Sequence, residues 1–254
     1  MDLNIDLGEL PGEPEALYAL ATVVNVACGG HAGNQASMER ALELARAAGT
    51  EVAAHPSYPD REGFGRVSLE LPEEVLRASV RSQCAALQVV AEVAGVRVRR
   101  VKLHGALYGD AAQDPARARA ALGGAVEGLG GSLEIVVGPP WGSLAAEAEA
   151  LGLRYEREGF ADRGYDAEGR LLPRSAPGAL LVEPAAAVAQ ALRLADAGGL
   201  ETLCVHGDTP GSEHIARAVR EALAARGLLG AAAGPAAAST QVAAAGGTKP
   251  GERG

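Results

Sequence analysis

Lysine is nearly missing from this chain. Of its 23 basic residues only Lys102 and Lys249 are lysine, and arginine supplies the rest. Aromatic residues make up 3% of the 254 residues, and the two phenylalanines are Phe64 and Phe160. Asparagine occurs only as Asn4, Asn25 and Asn34. The three cysteines, Cys28, Cys84 and Cys204, are odd in number and lie far apart without a C-x-x-C, so neither a disulfide framework nor a thiolate zinc site is indicated. No apolar run approaches the roughly 20 residues of a membrane span, and Leu3–Leu7 already reads as a strand where a leader's charged and apolar regions would stand. There is no polybasic run, and a formal charge of -9 with a pI near 5.1 argues against a nucleic-acid binder. These absences predict a soluble chain of a reducing, cytoplasmic compartment.

What is present is Ala, Leu, Val, Gly and Arg in excess, a bias that reads as compositional pressure on the gene. Against it, rare residue types stand where their chemistry is needed. All three Asn, both Phe, four of the five His and three of the five Tyr fall in six short segments. These are Leu3–Glu9, Asn25–Asn34, His55–Arg66, Lys102–Tyr108, Glu158–Tyr165 and Cys204–Asp208. The fifth histidine, His214, sits in a helix-like stretch and reads as a surface residue.

Short Val/Ile/Leu runs alternate with long segments of helical period. Strands are expected at Leu3–Asp6, Val23–Val26, Glu51–Ala54, Arg99–Lys102, Leu133–Val137, Leu153–Tyr155 and Thr202–Val205. Helices are expected at Ser37–Ala48, Pro72–Ala94, Pro115–Gly128, Gly142–Leu151, Pro184–Ala197 and Ser212–Ala225. Strand–helix alternation of this length implies a parallel sheet. An open doubly wound sheet would bring a glycine-rich phosphate turn, and neither G-x-G-x-x-G nor G-x-x-x-x-G-K-[ST] occurs. The expectation is an α/β fold, a single (β/α)7-type barrel over residues 1–229. Residues 230–254, rich in Ala and Gly, read as a loose tail with too little apolar surface to order.

The six segments coincide with the C-terminal ends of the expected strands, the face that carries active sites in parallel barrels. Alternation puts Asn4 and Asp6 on one face of the first strand, and inside a barrel that Asp6 carboxylate needs a partner or a task. Asp6 and Glu9 are site candidates, with a helix cap or a structural ion pair as the other reading. His31 stands on a turn between Gly29, Gly30 and Gly33, whereas Cys28 reads as a buried thiol. His55 follows the third strand and opens a long loop in which Arg66 either clamps a carboxylate or pairs with Asp60. Lys102 and His104 share a strand face, where an ammonium beside an imidazole suits a substrate carboxylate or an oxyanion. The competing reading is a buried Lys–Asp pair across the barrel. Tyr108, Asp162, Arg163, His206 and Asp208 complete the ring, with Arg174 as a second guanidinium; Asp208 reads equally as a helix cap.

This set lacks local zinc spacing and a G-x-S-x-G elbow, but acid–base hydrolysis around an anionic substrate needs no missing part. With these residues in view the chain resembles the LamB/YcsF family, the A-type subunits of bacterial 5-oxoprolinase, from about Leu3 to Leu229. The resemblance rests on Asn-Ile-Asp-Leu-Gly-Glu, Cys-Gly-Gly-His-Ala-Gly, Ala-His-Pro-Ser-Tyr-Pro-Asp, Gly-Phe-Gly-Arg, Val-Lys-Leu-His-Gly-Ala-Leu-Tyr, Phe-Ala-Asp-Arg-Gly-Tyr, Leu-Pro-Arg-Ser-Ala-Pro-Gly-Ala and Cys-Val-His-Gly-Asp, in that order. It implies a seven-stranded barrel related to glycoside hydrolase and deacetylase barrels. It also implies ATP-dependent opening of 5-oxo-L-proline to L-glutamate, with ATP as co-substrate together with Mg2+ and with B-type and C-type partner subunits. In this scheme Asp6, His31, His55, Lys102 and His104 are catalytic, and Asn4, Glu9, Arg66, Tyr108, Asp162, Arg163, His206 and Asp208 bind substrate. The sequence departs from the family pattern at Gly30, where Phe is usual, at Asn34, where Asp is common, and in a shortened Pro11–Thr22. Two rival readings remain: a metal-dependent deacetylase or carbohydrate hydrolase ligating through Asp6, His31 and His55, and a non-catalytic substrate-binding subunit.

Overall fold

Seven strands hydrogen-bond in sequence order, all parallel, and the last pairs with the first to close a barrel. The structure is a computed structural model and describes residues 1–230; the expected tail lies, beyond Gly230, outside the described residues. The strands are β1 (Asp2–Leu7), β2 (Val23–Ala27), β3 (Glu51–His55), β4 (Val98–Lys102), β5 (Ile135–Gly138), β6 (Arg154–Phe160) and β7 (Thr202–His206). The helices are α1 (Ala16–Leu20), α2 (Gln35–Ala48), α3 (Glu73–Ala94), α4 (Gly105–Gln113), α5 (Pro115–Leu129), α6 (Leu144–Ala150), α7 (Pro184–Ala197) and α8 (Ser212–Ala225). Among the described residues no helix is long and apolar enough to cross a membrane.

The period-two alternation of a strand divides β1 cleanly. Leu3, Ile5 and Leu7 are fully buried in the apolar layer between strands and helices, together with Leu17 and Leu42. Asp2, Asn4 and Asp6 face the barrel axis, where each meets residues from strands across the barrel. At the N-terminal end Arg100 of β4 pairs with Asp2 at 3.1 Å, with Glu51 of β3 at 2.9 Å and with Glu156 of β6. One step higher, Asn4 donates to Glu158 Oε1 at 2.7 Å and to Thr202 at 2.8 Å, and accepts from Asn25 at 2.7 Å. The barrel axis is therefore polar and layered, while the apolar core lies outside it.

Three elements differ from the sequence expectation. β6 runs on to Phe160 rather than ending at Tyr155, because its charged residues point inward: Glu156 and Glu158 meet Arg100 and Lys102, so hydrophobic periodicity does not mark them. The five-residue α1 lies in the shortened Pro11–Thr22 segment, and α4 begins inside the Lys102–Tyr108 segment that reads as strand and loop.

Candidate active site at the barrel mouth

The strand ends deliver Asp6, His55, Lys102, Glu158 and His206 towards one cavity of about 1200 Å³ at the C-terminal end of the barrel. The loops after β3, β4 and β6 complete it with Arg66, His104, Tyr108, Arg163 and Arg174.

Lys102 lies at its floor, 2% exposed. Its ammonium meets Asp6 Oδ1 at 3.0 Å, Glu158 Oε1 at 2.9 Å, Asn4 Oδ1 at 3.1 Å and Cys204 Sγ at 3.0 Å. An ammonium has three N–H groups, so none is left for a substrate carboxylate. The expectation that Lys102 holds the substrate gives way to the competing one, a buried cation paired across the barrel. Burial alone would lower its pKa, but the Asp6 carboxylate first, with Cys204 Sγ and Glu158 beside it, holds it well above the ordinary lysine value. Burial would likewise raise Asp6; His55 and Lys102 outweigh it and hold that carboxyl well below the usual range. Asn4, expected to bind substrate, instead spends its amide on Glu158, Thr202, Asn25 and Lys102.

Asp6 Oδ2 is the oxygen turned away from Lys102. It lies 3.4 Å from His55 Nε2 and 4.0 Å from His206 Nε2. Behind His206 stands Asp162, fully buried, whose carboxylate accepts from the His206 backbone N–H at 3.0 Å, from Nδ1–H at 3.0 Å and from the Thr209 hydroxyl at 2.6 Å. Asp162 is thus an orienter of His206 rather than a substrate contact. It fixes the tautomer that presents a bare Nε2 to the cavity. Burial would raise Asp162, but His206 and its hydrogen bonds bring it below the ordinary aspartate value.

Above this floor Glu9, His31, His55 and His104 form a second cluster, all buried. His31 Nε2 is 2.9 Å from Glu9 Oε1, and the His31 ring stacks on His104 with centroids 3.6 Å apart and planes 2° from parallel. The loop after β3 covers the pair. Gly65, at φ +64°, passes so close that a Cβ there would lie 2.9 Å from His31 Cβ. Phe64 takes the left-handed φ of +54° and sets its ring edge-on to both histidines. Such a conformation in a bulky residue stores strain, which commonly marks a functional site. Burial, Asp6 and Asp208 push the Glu9 carboxyl well above its ordinary range, and burial with His55 brings His31 down to about 2. Burial and the neighbouring His55 and His31 also hold His104 well below the usual histidine value.

At the rim Arg66 pairs with Asp208, not with Asp60, and Arg174 reaches the same carboxylate at 3.3 Å. Asp208 is not a helix cap, since Gly211 is the N-cap of α8. Arg163 is committed to its own loop, donating to Ala179 O at 3.0 Å and to Leu172 O at 2.6 Å, so it shapes the wall. The Tyr108 hydroxyl and Glu158 Oε2 are buried at the cavity without a hydrogen-bond partner. Burial first, then Glu158, raises the Tyr108 pKa well above the ordinary value and keeps the hydroxyl protonated as a donor.

The LamB/YcsF family model matches residues 1–237. The chain belongs to that family. It is 45% identical over 251 residues to the A-type 5-oxoprolinase subunit of Methylococcus capsulatus (strain Bath), an alignment covering 92% of this chain and 96% of that protein. To the A-type 5-oxoprolinase subunit of Streptomyces coelicolor it is 43% identical, with 90% and 97% covered. Among solved structures, the lactam utilization protein of Thermus thermophilus superposes with a TM-score of 0.81 at 37% identity, covering 91% of this chain and 99% of that one.

Within this LamB/YcsF barrel, one departure from the family pattern is explained by structure. Asn34 is the N-cap of α2, accepting from Ser37 N–H at 3.0 Å, a task Asn and Asp perform equally. Asn25, Glu158 and Thr209 carry contacts in the site that the expected residue set did not include. Rarity pointed to Asn25, one of three asparagines. Thr209 carries no comparable mark.

Proposed function

We propose that this chain is the lactam-binding and lactam-opening subunit of an ATP-dependent 5-oxoprolinase, converting 5-oxo-L-proline to L-glutamate together with B-type and C-type subunits. The observation that carries this reading is the cavity's division of labour. Proton-handling groups, Asp6 and His206, lie at the floor, a protonated Tyr108 hydroxyl lies in the wall, and the guanidinium groups of Arg66 and Arg174 lie at the rim. The names of the A-type relatives support the substrate.

A lactam amide is a weak electrophile. Transfer of the terminal phosphoryl group of ATP to the lactam oxygen makes that oxygen a leaving group. Water then adds to the ring carbon, the C–N bond breaks, and the nitrogen leaves protonated as the amine of glutamate. A second water attacks the acyl phosphate so formed, and the former lactam oxygen departs with phosphate, for a total of one ATP and two waters. His206 Nε2, held by Asp162, takes the proton of the attacking water and returns one to the leaving nitrogen. Arg66 and Arg174 bind the substrate carboxylate or the phosphoryl oxygens, exchanging part of their pairing with Asp208. The cavity, at about 1200 Å³, exceeds the roughly 300–1,000 Å³ of most small-molecule sites. It leaves room beside a lactam for the phosphate end of a nucleotide with Mg2+.

The test is glutamate release from 5-oxoproline by the chain with its B-type and C-type partners, with and without ATP. Glutamate that requires both ATP and this chain is expected, and His206→Gln should abolish most of it. A complete complex that binds its partners yet releases no glutamate discards the substrate.

A further inference from the structure

The hydrogen-bond accounting of the upper cluster does not close, and the way it fails identifies a ligand. His55 Nδ1 lies 2.8 Å from the carbonyl oxygen of Lys102, and His104 Nε2 lies 3.0 Å from that of Phe64. A carbonyl oxygen only accepts, so each of these nitrogens carries the proton of its ring. In neutral rings the opposite nitrogens, His55 Nε2 and His104 Nδ1, are bare, and they face each other at 3.0 Å. Two lone pairs at that distance, in a site where both residues are buried, repel unless a proton or a metal cation stands between them. Glu9 Oε1 adds a third lone-pair donor, 3.3 Å from His104 Nδ1 and 3.8 Å from His55 Nε2. Asp6 Oδ2 adds a fourth, 3.4 Å from His55 Nε2.

We propose that His55 Nε2, His104 Nδ1 and Glu9 Oε1, with Asp6 Oδ2 beside them, form a site for one divalent metal ion of the imidazole-preferring class, such as zinc or cobalt. Metal–ligand bonds of about 2.0–2.1 Å in a tetrahedron set ligand atoms roughly 3.3 Å apart. The separations of 3.0, 3.3, 3.4 and 3.8 Å bracket that edge. The outer contacts also fit. Metal-bound imidazoles characteristically donate their other N–H to a backbone carbonyl, as His55 and His104 both do.

His31 belongs to the outer shell. Its ring is parallel to His104 at 3.6 Å, so the in-plane lone pairs of the two rings run side by side and cannot meet at one ion. It donates instead to the ligating oxygen of Glu9. The neighbouring group of Asp6, Cys204 and His206 is not a second metal site, because the Lys102 ammonium already lies 3.0 Å from both Asp6 Oδ1 and Cys204 Sγ. His55, His104 and Asp6 line the cavity, and an ion held by His55, His104 and Glu9 alone would keep a fourth position for water or a substrate oxygen. This inference goes beyond the lactam reading and does not depend on it.

The test is a titration of the full chain, stripped with a chelator, with Co2+ as probe. One equivalent should bind, giving the visible d–d absorption of a low-symmetry four- or five-coordinate site, and Zn2+ should displace it. His104→Gln and Glu9→Gln should each weaken binding by more than about 100-fold, and His31→Gln by roughly 10–100-fold as an outer contact. His214→Gln, at an exposed position, should change nothing. Circular dichroism checks that each variant folds, and the wild-type thermal midpoint should rise on metal addition whatever the variants do. No Co2+ or Zn2+ binding by the folded wild-type chain would overturn the proposal and leave a shared proton between the two imidazoles. Binding unchanged in His104→Gln and Glu9→Gln would overturn it as well. Neither result bears on glutamate release, so the two readings fail separately.

Discussion

The barrel axis carries three polar layers, and the top one differs from the two beneath it. At the N-terminal end Arg100 is surrounded by Asp2, Glu51 and Glu156; in the middle Lys102 is surrounded by Asp6, Glu158 and Asn4. Each of these layers holds its own cation, built into β4 two residues apart. The next residue in that alternation is His104, and it faces Glu9 and the bare nitrogen of His55 with no cation among them. Layers that carry their own cation are structure. The layer that lacks one is where an added group, metal or substrate, finds its partners already placed.

The largest expected effect breaks the middle layer. Lys102→Met leaves Asp6 and Glu158 buried without their counter-charge and should cost about 3–5 kcal/mol in urea denaturation of the metal-free chain. Next comes His206 with the carboxylate that orients it. Asp162→Asn removes the acceptor that fixes the His206 tautomer and should lower ATP-dependent glutamate release by at least roughly 100-fold while the fold persists.

Acid titration sharpens the same contrast. Asp162 has its folded pKa below the ordinary value, held there against burial by His206 and Thr209. Its stabilisation is therefore complete above the unfolded carboxyl pKa of about 3.9 and is lost as pH falls through the lower folded value. Wild-type stability should drop below about pH 4, and the drop should be shallower in Asp162→Asn. In the top layer, Glu9→Gln removes a carboxyl that burial, Asp6 and Asp208 already hold well above its ordinary range. In the metal-free chain it should change stability by no more than about 1 kcal/mol. A loss as large as that for Lys102→Met would show that the top layer is satisfied without an added cation. The smallest effect is at the surface: Arg77→Ala breaks the exposed pair with Glu127 and should stay within about 0.5 kcal/mol.

Much of this was legible in the chain itself. Lys102 stood out because arginine fills nearly every other basic position, and an ammonium, more compact than a guanidinium, fits between Asp6 and Glu158 at the axis. Alternation along Asn4-Ile5-Asp6 gave the inward face. Yet the same signals did not distinguish a substrate-holding Lys102 from a paired one, since that depends on Glu158, a glutamate inside a strand that reads as charged loop. Its place in a site segment suggests that Asp162 contacts substrate; that it stands behind His206 depends on how β6 and β7 pair.

The sequence by itself determined the α/β alternation, the family and the short segments that reach the mouth, because periodicity and rare residue types are local properties of the chain. Only the tertiary structure decided which of those groups cancel one another and which remain unmet. That outcome is set by closure of β7 onto β1, which brings residues 96, 154 and 198 positions apart within a hydrogen bond of each other. No local pattern encodes such distances; the barrel's register does.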